Sequence, residues 1–190
     1  MACPPPCKEE KMHVLVLTGS HRRHSNSSAL AEKFIEGATT AGHQVKRFDC
    51  ALHNIGGCLG CNFCKKGDGS CCQKDDFALV RQDILDADVI VFASPIYYYG
   101  LSAQLKAVID RFYAIDEKIH GHKHVYLLLS YADTALSTAD ASETHVRAFC
   151  QYLDWNVKGV VRAHSLTAEN DIQGRPELEN AYAMGLNLAR

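Results

Sequence analysis

The chain has 190 residues, 47% hydrophobic and 22% charged, which fits one soluble globular domain with an ordinary core. Its net charge is -2 and its basic residues are dispersed, which argues against a nucleic-acid or membrane-surface role. Apolar runs fall short of the roughly 18 residues of a membrane span, and residues 1–11 lack the apolar stretch of a secretory signal, so a cytoplasmic protein is expected.

Residues 1–12, with Cys3 and Cys7 around Pro4-Pro5-Pro6, read as a disordered tail, and 13–190 as a single domain. An apolar run, Val14 to Leu17, breaks into Gly19-Ser20-His21-Arg22-Arg23-His24-Ser25-Asn26-Ser27-Ser28. It then becomes helical, with Leu30, Phe34, Ile35 and Ala38 on one face and Gly42 at the stop. Asn26, Ser27 or Ser28 is expected to cap that helix. Backbone N–H groups at a helix start, beside hydroxyls and two arginines with no acidic residue among them, suit a phosphate monoester. The chain lacks Gly-x4-Gly-Lys-Ser/Thr and lacks Gly-x-Gly-x-x-Gly after this strand, which leaves a mononucleotide loop rather than a triphosphate or dinucleotide one.

Gln44 to Phe48 is a second strand ending at Asp49. A segment from Cys50 to Asp75, rich in Gly and Cys, follows without periodicity; stretches of that length inside a domain are usually functional or disordered. Next come a helix over Asp76 to Leu85, a buried strand Val89 to Ala93, and a helix from Ser102 to Tyr113 with Leu105, Val108, Ile109 and Phe112 inward. A fourth strand covers Val125 to Leu129. A helix over Ser142 to Leu153, a strand near Val157 to Ala163 and a helix opened by Pro176 complete the chain, the last with Leu178, Ala181, Met184 and Leu188 inward.

Five apolar strands alternating with amphipathic helices predict an α/β, doubly wound five-stranded parallel sheet in a three-layer sandwich. The commonest order for five strands is the flavodoxin-like 2-1-3-4-5, with ligands at the carboxyl ends of strands 1 and 3. Strand 3 runs into Ser94-Pro95-Ile96-Tyr97-Tyr98-Tyr99-Gly100. Three adjacent tyrosines cannot all face a core, and beside a phosphate loop they suggest a flat ring held across the switch point. A tyrosine-rich dimer contact is compatible with this.

Together these motifs resemble the flavodoxin-like NAD(P)H-dependent FMN reductases, and within them the iron-sulfur flavoproteins. The resemblance is carried by Gly19-Ser20-x-Arg22-x3-Asn26-Ser27, by Ser94-Pro95-Ile96-Tyr97 with Ser102-Ala103-Gln104-Leu105-Lys106-x2-Ile109-Asp110-Arg111, by Cys58-x-Gly60-Cys61-x2-Cys64 with Asp75-Asp76, and by Asp171-Ile172 through Ala181-Tyr182. It implies that 13–190 is an FMN-binding domain in which Ser20, Arg22, Ser25, Asn26 and Ser27 hold the phosphate. Pro95, Ile96, Tyr97, Tyr98, Gly100 and Ser130 would line the ring. Two departures stand out: His21 and Ser25 occupy positions where the family often has Pro and Gly, and Ser130-Tyr131-Ala132 lacks a commonly seen glycine.

The expected activity is hydride transfer from NAD(P)H to FMN and onward to a small-molecule or protein electron acceptor, such as a quinone, flavin or metal ion. A homodimer or homotetramer is expected. The alternative is an electron carrier without nicotinamide turnover, although carriers usually present a strongly acidic docking surface. A signalling aspartate ending strand 3 is missing, since Ser94 stands there, and a phosphatase cysteine after strand 1 is replaced by Gly19-Ser20. His120, His122 and His124 read as a solvated loop, and no role is assigned to His21 and His24.

Nine cysteines are many for such a chain. Cys-x2-Cys-x2-Cys opens the bacterial ferredoxin run. The expected ligands of one [4Fe-4S] cluster are Cys58, Cys61, Cys64 and Cys71, with Cys72 able to replace Cys71. Four thiolates suit zinc equally, and loss of the cluster to oxygen would leave thiols or a disulfide.

Overall fold

The computed structural model describes residues 11–67 and 69–188. Residues 1–10 of the expected tail lie outside that description. Met12 belongs to the domain rather than to the tail, because it is buried and its N–H donates to His43 Nδ1 at 3.3 Å.

Strands β1 (His13–Thr18), β2 (Gln44–Asp49), β3 (Val89–Tyr97), β5 (His124–Ser130) and β6 (Asn156–Ala163) form the parallel sheet, in the order β2-β1-β3-β5-β6. This is the predicted flavodoxin-like order. Sequence reading missed only β4 (Gly100–Leu101), a two-residue strand antiparallel to β3 that shifts the later numbering by one.

Both faces of the sheet are covered, which explains why its central strands read as unbroken apolar runs. Val14 and Val16 join Val89, Val91 and Leu128 on one face, under α1 (Asn26–Thr40) and α6 (Pro176–Leu186). Leu15 and Leu17 join Ile90, Phe92 and Leu127 on the other, under α2 (Phe77–Asp86), α3 (Ala103–Asp110) and α5 (Asp140–Tyr152). A short α4 (Asp116–Ile119) follows α3 after a 3-10 turn at Arg111–Ala114. That break ends the helix predicted to run unbroken to Tyr113. No helix among the described residues is long and apolar enough to cross a membrane.

Helices α1 and α6 touch backbone to backbone. A Cβ at Gly37 would lie 2.2 Å from the Tyr182 carbonyl oxygen, and one at Gly185 would lie 2.1 Å from that of Phe34. Neither neighbour is a side chain that can swing away. Gly37→Ala should therefore separate the helices and cost about 1–3 kcal/mol, the usual range for overpacking. Urea unfolding of the variant checks this, and unchanged stability would show that the helices slide apart freely.

Candidate functional site

Parallel strands β1, β3 and β5 point their carboxyl ends at one edge of the sheet. The chain leaves β1 through Gly19, whose N–H donates to Ala93 O at 2.9 Å. A Cβ on Gly19 would meet Ser102 Oγ at 2.2 Å, so only glycine lets the loop pass this close to the start of α3. Ser20 Oγ accepts from the Arg22 N–H at 3.2 Å, closing the turn.

The cap of α1 is Ser25 rather than Asn26, Ser27 or Ser28: Ser25 has extended backbone and its Oγ accepts from Ser28 N at 3.0 Å. The sequence reading stepped one residue too far because several residues there are competent caps. The N–H groups of Asn26 and Ser27 lie in the first turn, where a helix offers no internal acceptor. Ser20, Ser25 and Ser27 bring hydroxyls to the same stretch.

A pocket of about 180 Å³ forms here, lined by Ser20, Arg22, Ser25, Asn26, Ser27, Pro95, Ile96, Tyr97 and Ser130, with Tyr131, Ala132, Leu166 and Thr167. Nine of the predicted residues thus converge, and no acidic side chain lines the space. Hydroxyls, free helix N–H groups and one arginine are the donor set of a phosphate monoester. The residues present therefore fit the phosphate end of FMN. Tyr98 and Gly100 are not among the lining residues.

Leu166 and Thr167 escaped sequence reading because their place depends on a long-range brace. Asn26 Nδ2 donates to Ala168 O at 2.9 Å, and Asn26 Oδ1 accepts from Ile172 N at 3.2 Å. The Asn26 side chain, expected on the phosphate, is spent on holding the loop after β6. Within that loop, Asp171 accepts from the Ala168 and Thr167 N–H groups, and these bonds hold its carboxyl below the usual range.

After Tyr97 the chain turns back into β4 through Tyr98 and Tyr99, both left-handed (φ 47° and 64°). Two-residue hairpins of this kind normally use Asn or Gly. Tyr98 is fully exposed, and Tyr97 and Tyr99 are more than half exposed, so none of the three rings enters the core. Backbone outliers of this sort cluster at active sites and ligand clamps.

A larger groove of about 690 Å³ runs between β6 and α6, past Lys158, Arg162 and Met184. It lies away from the β1–β3 switch point, and its Arg162 is already paired with Asp140 and Glu143 at 2.8 and 2.7 Å. The smaller pocket is the better anion site.

The cysteines do not assemble as predicted. Among the described residues no group of three or more His, Cys, Asp or Glu is arranged to hold a metal ion. Cys58 Sγ accepts from Gly60 N at 3.4 Å within its own turn, while Cys64 is buried. Cys71 lies against Arg111, and Cys61 faces Cys72. Between Cys58 and Cys64 the backbone is left-handed at Gly60 and Asn62. The quartet Cys58, Cys61, Cys64 and Cys71 thus does not fit a cluster here. Cys50 and Cys150 are buried in the core, where burial pushes both thiols up to about 12. His120 Nε2 lies 3.6 Å from Asp116 Oδ1.

Comparison with known proteins gives one family match, NADPH-dependent FMN reductase, over residues 12–166. An iron-sulfur flavoprotein of Archaeoglobus fulgidus is 30% identical over 100 residues, 53% of this chain and 45% of that one. A putative NAD(P)H-dependent FMN-containing oxidoreductase of Bacillus subtilis is 28% identical over 53% of this chain and 51% of its own. The matched region spans about half the length of these curated relatives. The solved structure of an NAD(P)H:quinone oxidoreductase from Methanothermobacter marburgensis superposes with a TM-score of 0.73 at 23% identity, covering 95% of this chain and 98% of that one. That likeness confirms the fold.

Proposed function

The chain belongs to the NADPH-dependent FMN reductase family, and from that premise we propose that it binds FMN noncovalently and oxidises NAD(P)H for a quinone, flavin, metal ion or protein acceptor. The observation that carries this reading is the acid-free pocket at the β1–β3 switch point, where nine residues expected from sequence meet. Held by these residues, FMN would supply the hydride-accepting and electron-transfer chemistry, so the protein need supply no acid-base pair.

The residues divide that work. Ser20, Ser25, Ser27 and the first-turn N–H groups of α1 bind the phosphate, and Arg22 supplies the neutralising charge. Pro95 and Ile96 give a stiff wall, and Tyr97 offers an exposed aromatic face against which a flat ring can pack. The pocket would hold the phosphate end, and a nicotinamide stacked on a flavin held beside Pro95, Ile96 and Tyr97 would gain proximity.

Reconstituted protein should release FMN on heating; recovery of FAD, or of no flavin, would overturn the reading. Arg22→Ala should lower FMN affinity by about 1.5–3 kcal/mol, the range for hydrogen bonds to charged groups, and an unchanged Kd would remove Arg22 from the site. Anaerobic mixing with NADPH or NADH separates enzyme from carrier, because a carrier's bound flavin would stay oxidised.

We also propose a homodimer or homotetramer whose contact includes Tyr97–Tyr99. Leu59 and Phe63 are also strongly exposed, and aromatic residues are enriched at such contacts. Light scattering at micromolar concentration should give a mass of at least two chains; a monomer would refute the contact.

A further inference from the structure

Cys61 Sγ and Cys72 Sγ lie 3.5 Å apart, and both side chains are exposed. A disulfide requires about 2.05 Å between the sulfurs. The remaining approach is smaller than the separation of two non-bonded atoms in contact. The other thiols are engaged elsewhere: Cys58 with its own turn, Cys64 in the protein interior, and Cys71 with the Arg111 guanidinium, although Cys71 also lies beside Cys72.

We propose that Cys61 and Cys72 form a reversible redox dithiol, closed to an intramolecular disulfide by exchange with a low-molecular-weight disulfide. The sulfur of one cysteine attacks the small disulfide, whose S–S bond breaks to release one small thiol and leave a mixed disulfide on the protein. The second cysteine attacks that protein sulfur and releases the second small thiol. The two protein thiols lose two electrons and two protons, which depart as the two reduced small molecules.

Closure ties the backbone at Cys61 to that at Cys72, clasping the stretch that includes the Phe63–Lys66 turn. Asn62, next to Cys61, accepts a hydrogen bond from the Tyr113 hydroxyl at 2.7 Å, and Arg111 holds the other end through Asp75. The residue after Cys61 and the residue three beyond Cys72 are thus each tied to the end of α3 and the turn that follows it. Closure also withdraws Cys61 and Cys72 from any metal ligand set, so clasp and cluster exclude one another.

The test uses the whole chain, purified without oxygen and divided between reduced glutathione and glutathione disulfide. Free thiols are then alkylated and the digest is mapped by mass spectrometry. The expected result is loss of alkylation at Cys61 and Cys72 together, with a cross-linked pair two hydrogens lighter, reversed by reduced glutathione; buried Cys50 and Cys150 serve as unchanged controls. In Cys72→Ser, Cys61 should instead retain glutathione as a mixed disulfide. The proposal is overturned if both cysteines stay alkylatable in glutathione disulfide, if Cys61 links to Cys58, Cys64 or Cys71 instead, or if the anaerobic protein holds iron and sulfide that protect Cys61 in both samples.

Discussion

Arg111→Met should cost about 3–5 kcal/mol of stability, the range for breaking a buried ion pair from one side. Arg111 is 1% exposed, and its Nη1 donates to Asp75 Oδ2 at 2.6 Å and to Gly56 O at 3.0 Å. Its guanidinium also lies over the Phe77 ring, 4.8 Å from the centroid. Asp75 in turn accepts from Gly56 N at 3.1 Å and from Phe77 N at 3.3 Å. One cation thus pins both ends of the cysteine segment to the end of α3. Methionine keeps much of the volume but leaves the Asp75 carboxylate without its cation. Urea denaturation measures the loss, and adding Asp75→Leu to Arg111→Met should recover part of it, because the uncompensated charge is then gone.

The same pair sets an acid dependence. Burial raises the Asp75 carboxyl, but the Arg111 bond and charge and the Gly56 N–H outweigh it, so the folded pKa lies below its ordinary value. A carboxyl depressed in the folded state stabilises above its unfolded pKa of about 3.9, and that contribution disappears as pH falls through the lower folded value. Arg111 stays charged throughout. The stability gap between wild type and Arg111→Met should therefore be widest near neutrality and narrow below about pH 4. A gap that is constant with pH would show that packing against Phe77, rather than the ion pair, carries the effect.

What the sequence revealed and what it hid divide along range. Strands buried on both faces need continuous apolar residues, so β1, β3 and β5 stood out, and with them the switch point. β4 carries no periodicity in two residues, and its turn is formed by Tyr98 and Tyr99 in a conformation that sequence signals assign to Gly or Asn. The loops after β1 and β3 were legible because each is a contiguous run with its own chemistry. The wall at Leu166 and Thr167 was not, since it is fixed by a side chain more than a hundred residues away. The cysteine spacing named candidate ligands, but the left-handed backbone at Gly60 and Asn62 between them was not legible in it.

Asn26→Leu should cost about 2–4 kcal/mol, because it strands the Ala168 carbonyl and the buried Ile172 N–H, each at about 1–3 kcal/mol when unsatisfied. Asn26 itself is 7% exposed, so water cannot readily replace both bonds. The loop after β6 would lose its tie to α1, and Leu166 and Thr167 would no longer close the pocket. Asn26→Asp separates bracing from charge. It keeps the acceptor for Ile172 N, loses the donor to Ala168 O, and places an anion beside the phosphate loop. Asp should therefore weaken FMN binding more than Leu does, and added salt should shrink the difference because screening weakens like-charge repulsion. Flavin fluorescence titration at two ionic strengths, paired with urea unfolding of the flavin-free proteins, reads both effects. Wild-type stability in Asn26→Leu would mean that the brace is dispensable, and equal FMN affinity for Asp and Leu at low salt would place the phosphate elsewhere.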